Sequence, residues 1–141
     1  RYTLQSNESQ SVSLREEMEF ASAYIFLLKM RFENNLQFDI QIAKSFEDYR
    51  LPPMAVQVLI ENAVKHNEIS DRKPLTIHIV TNNEGYLSVS NDIQPKRTAA
   101  SGTGIGLVNL AKRYRLLFKQ DIQITEDKEF SVCIPLIDEV Q

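Results

Sequence analysis

Two short runs in this chain hold residue types that could do chemistry. The first is Gly102-Thr103-Gly104-Ile105-Gly106, which takes three of the chain's four glycines. Glycine lets the backbone turn tightly and come close to a ligand. The run sits where a loop should enter a helix. A helix start offers unpaired amide hydrogens and a partial positive charge, a natural phosphate site. The same run also reads as a hinge followed by a helix cap. It has no Gly-Lys-Ser or Gly-Lys-Thr, so it is not a P-loop, and a long loop separates it from the preceding strand, unlike a Rossmann turn.

The second run is Glu61-Asn62-Ala63-Val64-Lys65-His66. On a helix, Asn62, Lys65 and His66 stand at i, i+3 and i+4 and share a face. Leu59, Ile60, Ala63 and Val64 then turn towards a sheet. An amide oxygen suits Mg²⁺, which takes few protein ligands and completes its shell with phosphate oxygens and water. A lysine can neutralise phosphate. Taken alone, the helix also reads as a solvated polar face with an incidental histidine. His78, in Thr76-Ile77-His78-Ile79, reads as a sheet-surface residue. Cys133, the only cysteine, lies in a strand-like run and reads as buried packing; it rules out an internal disulfide and fits a reducing compartment.

Around these runs the chain must build the elements that position them. Ser13 and Glu16 have capping-box spacing, so a helix begins near Leu14, carries Leu14, Met18, Ala21, Ile25 and Leu28 inward, and runs to about Phe32. Leu36, Phe38, Ile40 and Ile42 alternate as a half-buried strand. Pro52 and Pro53 suit the first turn of a second helix, from about Pro53 to Asn67. Leu75, Ile77 and Ile79 form a strand that turns at Asn82 to Gly85 into its partner with Leu87 and Val89. A long loop from about Asp92 to Thr103 leads into a third helix with Leu107, Leu110, Ala111 and Tyr114 inward. A hairpin around Asp127 and Lys128 closes the chain. The fold class is therefore α/β (α+β), a two-layer sandwich of one mixed, mainly antiparallel sheet with helices on one face.

Composition agrees. At 141 residues, 43% apolar and 25% charged, the chain is an ordinary globular domain. A net charge of -3 argues against a nucleic-acid partner. No apolar run is long enough to span a bilayer. The first residue is Arg1, not Met, so the chain is expected to be a cytoplasmic fragment, with any membrane spans elsewhere in a parent protein.

The two runs together resemble the N box and second glycine box of the GHKL superfamily of gyrase, the heat-shock chaperone, histidine kinases and mismatch-repair ATPases. The chain looks most like the LytS-type branch of sensor histidine kinases. Leu51-Pro52-Pro53, Gln57 and Glu61 to His66 match that branch, as do Gly104-Ile105-Gly106-Leu107, Asn109 and Arg113. Val12-Ser13-Leu14, Glu16-Glu17, Tyr24 and Arg31-Phe32 match the segment after its histidine-bearing region.

The resemblance implies a Bergerat fold that binds ATP and Mg²⁺. Asn62 would hold the metal, with Glu61 beside it as an acid-base or polarising residue. Lys65 and His66 would face phosphate. Gly102, Thr103, Gly104, Ile105, Gly106 and Leu107 would form the phosphate loop, and Ile93 to Ser101 the lid. It implies transfer of the γ-phosphoryl group to a histidine, with residues 1-34 a linker and helix from the end of the phosphoacceptor region and 35-141 the catalytic domain. The implied partners are the phosphoacceptor region of the same or a partner protomer and a downstream response regulator. The implied parent is a dimeric protein of the bacterial inner membrane.

Three features depart from the pattern. The family's Asp-x-Gly, whose aspartate meets the adenine amino group, is replaced by Asn91-Asp92-Ile93. Asn91 can still accept a hydrogen bond; Asn91 and Asp92 also read as turn residues. Val58 stands where gyrase-like ATPases carry a water-activating glutamate, which fits phosphotransfer rather than hydrolysis. Neither His66 nor His78 lies in the Pro-His-Phe context of the acceptor. The rival expectation is a degenerate domain that binds partners without phosphotransfer.

Overall fold

The protein was analysed as a computed structural model, which describes residues 11–96 and 104–139. Helix α1 (Leu14–Phe32) begins at the expected capping box. The Glu16 amide donates to Ser13 Oγ at 3.1 Å and the Ser13 amide to Glu16 Oε1 at 3.0 Å. Just before it, β1 (Val12–Ser13) pairs antiparallel with β3 (Arg50–Leu51). Strand β2 (Leu36–Gln41) follows the helix and pairs in parallel with β4 (Leu75–Thr81), Phe38 opposite Ile77. Between these strands the chain crosses over through α2 (Ala55–His66).

The second helix starts later than the prolines suggest. Met54, just before it, has φ 71°, in the left-handed region that a right-handed helix cannot include. Pro52 and Pro53 therefore lead up to the turn instead of forming the first turn of α2.

Strand β5 (Tyr86–Asp92) returns antiparallel to β4, with Ile79 opposite Val89, through a turn in which Gly85 has φ 87°. Helix α3 (Ile105–Phe118) comes next, then β6 (Gln123–Glu126) and β7 (Glu129–Pro135). The five-stranded sheet has the order β2-β4-β5-β7-β6, antiparallel except at β2-β4.

One sheet face carries the core. Leu75, Ile77, Ile79, Leu87, Val89, Val132 and Ile134 are buried, and their alternating neighbours Thr76, Ser88 and Ser90 are not. Leu14, Ala21, Ile25 and Leu28 of α1, Leu59, Ile60 and Ala63 of α2, and Leu110 and Tyr114 of α3 complete a single core. Leu107 and Ala111 are only half-buried. Tyr114 Oη donates to the Pro135 carbonyl at 2.8 Å, so this buried hydroxyl has a partner. On the open face His78 is a sheet-surface residue as expected, and its Nδ1 lies 2.8 Å from Asp39 Oδ2, a partner the sequence did not indicate. Cys133 is half-buried there, a free thiol less enclosed than the sequence suggests.

Candidate functional site

Helices α2 and α3 lie side by side on the sheet and leave a cleft of about 490 Å³ at one end. That volume is within the ordinary range for a small-molecule site. Asn62, His66 and Asn67 form the α2 wall, Gly104 and Leu107 the α3 wall, and Ile93, Pro95, Glu126 and Phe130 the remainder. The structure therefore brings together Asn62, His66, Gly104 and Leu107 from the two distant runs. It does not bring in every candidate. Glu61, Lys65, Ile105 and Gly106 are exposed and do not line the cleft, and buried Asn91 is not among its lining residues either. Glu61 acts instead on Tyr24 of α1: burial, and then the Glu61 charge, push the Tyr24 hydroxyl up from its ordinary value. Gly102 and Thr103, and the end of the expected lid, lie outside the described residues.

Gly104 has φ 75°, and a Cβ built on it would meet nothing within 4 Å. Its glycine is required by the backbone turn into α3, not by crowding. Gly104, the N-cap residue, has no side chain with which to cap that helix start. A Cβ on Gly106 would lie 3.4 Å from Val58 Cγ1. That is an ordinary van der Waals distance, so the packing of α3 on α2 does not itself require glycine at this position. Val58 is apolar and holds the helix contact at the position where gyrase-like ATPases carry their carboxylate.

Asn91 is 1% exposed and follows Leu87 and Val89 on the core face of β5, while Asp92 points outward and is exposed. Alternation along β5 produces this difference. The Asn91 amide nitrogen donates to the Asp92 carbonyl at 2.8 Å, which orients the side chain. Its oxygen accepts no hydrogen bond from another described residue.

Two polar residues shape the site in roles that the sequence reading did not give them. Asn67 is 5% exposed; its nitrogen donates to the Ala63 carbonyl at 2.8 Å, and its oxygen accepts the Gln94 amide at 2.7 Å. The Glu68 amide donates to the Gln94 carbonyl at 2.6 Å. The C-terminal end of α2 is thereby tied to the segment leaving β5. Glu17 does the same at the other end. It is 2% exposed, and its carboxylate accepts the Met54 amide at 2.9 Å and the Val56 amide at 3.0 Å. Burial pushes its pKa up; the amide bonds and the Arg113 charge oppose that. Arg113 itself donates to the Pro53 carbonyl at 2.8 Å. A signal for Glu17 was present: it is the one charged residue within the inward stripe of Leu14, Ala21, Ile25 and Leu28.

The architecture is that of the catalytic domains of histidine kinases. A nucleotide-free catalytic domain of histidine kinase ThkA superposes with a TM-score of 0.57 at 20% identity, over 90% of this chain and 95% of that one. The cytoplasmic segment of histidine kinase QseC superposes with a TM-score of 0.60 at 9% identity, over 92% and 78%. At those identities the likeness establishes the fold.

The sequence relatives are more specific. The sensor protein LytS of Streptococcus mutans is 34% identical over 143 residues, 90% of this chain. The sensor histidine kinase BtsS of Escherichia coli K12 is 28% identical over 120 residues, 83% of this chain. A family model described as histidine kinase matches residues 1–36. Over most of its length the chain is similar to LytS-type sensor histidine kinases. It spans about a quarter of the length of these relatives, 24% of LytS and 21% of BtsS.

Proposed function

We infer that the cleft between α2 and α3 binds ATP with Mg²⁺ and that the domain passes the γ-phosphoryl group to a histidine upstream of this segment in a parent protein. The observation that carries this reading is the convergence of Asn62 and His66 with Gly104 and Leu107 on one cleft, beside the start of α3. The donor set fits the ligands. Asn62 presents an amide to the cleft, suited to Mg²⁺. The amides at the start of α3 suit phosphate. Asn91, oriented by its bond to Asp92, suits the adenine amino group. Ile93, Leu107 and Phe130 provide apolar surface for a flat base.

Bound Mg²⁺-ATP would supply the phosphoryl donor. The chain's own part is positioning and charge stabilisation, as is general for phosphoryl transfer. Asn62 holds the metal and His66 flanks it. Lys65, exposed beyond the cleft rim, supplies positive charge to outlying phosphate. The apolar Val58 leaves no carboxylate to activate water, which favours transfer over hydrolysis. Glu61, exposed and outside the cleft lining, is a weaker acid-base candidate than its place in the run suggested. The partners of the reading are a phosphoacceptor region in the same or another protomer and a response regulator. No helix among the described residues is long and apolar enough to cross a membrane; membrane anchoring and dimerisation belong to the proposed parent.

Titration calorimetry with a non-hydrolysable ATP analogue, with and without Mg²⁺, tests the reading. Metal-dependent heat is expected. No heat at millimolar nucleotide would overturn it.

A further inference from the structure

Among the described residues that line the cleft there is one carboxylate, and the resemblance assigns it no role. Glu126, the last residue of β6, stands in the cleft wall beside Phe130. It makes no hydrogen bond or ion pair with another described residue. A cleft that takes a polyanion gains nothing from a further negative charge, which repels phosphate, unless that charge meets hydrogen-bond donors of the ligand.

Sheet register shows where those donors would lie. Asn91 of β5 stands opposite Phe130 of β7, and Phe130 stands opposite Glu126 of β6. Residues directly opposite in paired strands share a face, so the three form one row on the helix-covered side of the sheet. Burial falls along the row: Asn91 is 1% exposed, Phe130 is half-buried and Glu126 is exposed. Its two ends lie roughly 10 Å apart, at about 4.8 Å for each strand spacing. The hairpin carrying Glu126 is tied down. The Asp127 amide donates to the Glu129 carbonyl at 3.0 Å, and the Ile93 amide to the Lys128 carbonyl at 3.3 Å.

We propose that Glu126 forms a sugar subsite, its carboxylate accepting hydrogen bonds from the two hydroxyls of a ribose. This rests on the nucleotide reading and deepens it: the ligand is a ribonucleotide and not a deoxyribonucleotide. A nucleoside carries its amino group at one end and its sugar hydroxyls at the other. The row offers matching chemistry in the same order. An amide acceptor stands at the buried end, an aromatic ring on which a base can stack lies in the middle, and a carboxylate stands at the open end. The two carboxylate oxygens can each take one of two adjacent hydroxyls. Such bonds to a charged acceptor are stronger than neutral ones. The phosphates are thereby directed away from β6, to the amides at the start of α3.

Calorimetry in the presence of Mg²⁺ with ATP and with dideoxy-ATP, which lacks both sugar hydroxyls, tests the subsite. The parent should bind ATP about tenfold more tightly than dideoxy-ATP, a difference of about 1.4 kcal/mol. Glu126→Ala should lose about tenfold in affinity for ATP and nothing for dideoxy-ATP, so that the preference vanishes. Glu126→Gln, whose amide oxygen still accepts, should keep an intermediate preference. Circular dichroism should be unchanged in both variants, because Glu126 is exposed. Equal affinity of the parent for the two nucleotides overturns the subsite and leaves the nucleotide reading standing. An equal loss of both nucleotides in Glu126→Ala does the same, as does tighter ATP binding by that variant, the sign of a carboxylate that faces phosphate. A parent that binds neither nucleotide overturns the nucleotide reading and the subsite together.

Discussion

Glu17 offers the sharpest test of how this site is held. Its carboxylate joins α1 to the start of α2 by accepting two amides, at 2.9 and 3.0 Å, in a place that is 2% exposed. Truncation in Glu17→Ala leaves both amides without an acceptor. Each buried unsatisfied donor costs about 1–3 kcal/mol, so the loss should be about 3–5 kcal/mol once lost packing is added. That is a large share of the roughly 5–15 kcal/mol that keeps a domain folded. Glu17→Gln keeps one acceptor and turns a donor towards the other amide, at about 1–3 kcal/mol. Glu16→Ala, which removes half of the capping box on the exposed side, should cost about 1 kcal/mol. Urea denaturation of the four proteins gives the order.

The pH dependence has a definite sign. Burial raises the Glu17 pKa above its ordinary 4.5 in the folded state. Between 4.5 and the raised value the folded chain binds more protons than the unfolded one, so stability from this group increases as pH falls through that window. Glu17→Gln cannot titrate. The stability gap between parent and Glu17→Gln should therefore widen as pH falls towards 4.5, by at most about 1.4 kcal/mol per pH unit. Two results would refute the reasoning: Glu17→Ala no less stable than Glu16→Ala, or a gap that narrows on acidification.

Other perturbations probe the cleft. Asn62→Ala should abolish the Mg²⁺ dependence of nucleotide binding while the fold persists; unchanged dependence in calorimetry places the metal elsewhere. Asn91→Leu should weaken ATP binding by about 1–3 kcal/mol for the stranded adenine donor, and Asn91→Asp, made also with Ile93→Gly, should tighten it and sharpen preference over GTP. Equal ATP affinity in Asn91→Leu would leave Asn91 a purely structural residue. Gly104→Ala should cost about 1–2 kcal/mol in thermal unfolding because of its positive φ alone, whereas Gly106→Ala, facing an ordinary contact with Val58, should be nearly neutral. A fully stable Gly104→Ala would show that the turn into α3 does not need glycine.

The elements were legible where a local rule governs them. The capping box at Ser13 and Glu16 set the start of α1, and alternation separated Asn91 from Asp92. The failures share a cause: contacts between residues far apart in the chain. The start of α2 depends on Met54 in the left-handed region and on Glu17, 37 residues earlier in the chain. No proline rule contains that information. Helical spacing grouped Lys65 with Asn62 and His66, yet only Asn62 and His66 line the cleft, because α3 closes over one side of α2 and not the other.

Those long-range contacts have a consequence for the chemistry. Helix α2 is 12 residues long, roughly 18 Å at 1.5 Å per residue, and Asn62 sits two turns from its start. At the first end Glu17 holds the amides of Met54 and Val56, and Arg113 of α3 holds the Pro53 carbonyl. At the other end Asn67 grips Ala63 and Gln94 together. Between them Val58 meets Gly106. A helix held only by its apolar stripe could rotate or slide by an ångström within its packing. A displacement of that size at a reacting centre can cost about a hundredfold in rate. The side chains that would touch a nucleotide are therefore placed by residues that never touch it, distributed over α1, α3 and the segment after β5. Replacing these supports should lower nucleotide affinity even where the cleft-lining residues are unchanged, and the Glu17 series can be read on that scale too, with Glu17→Gln retaining more affinity than Glu17→Ala.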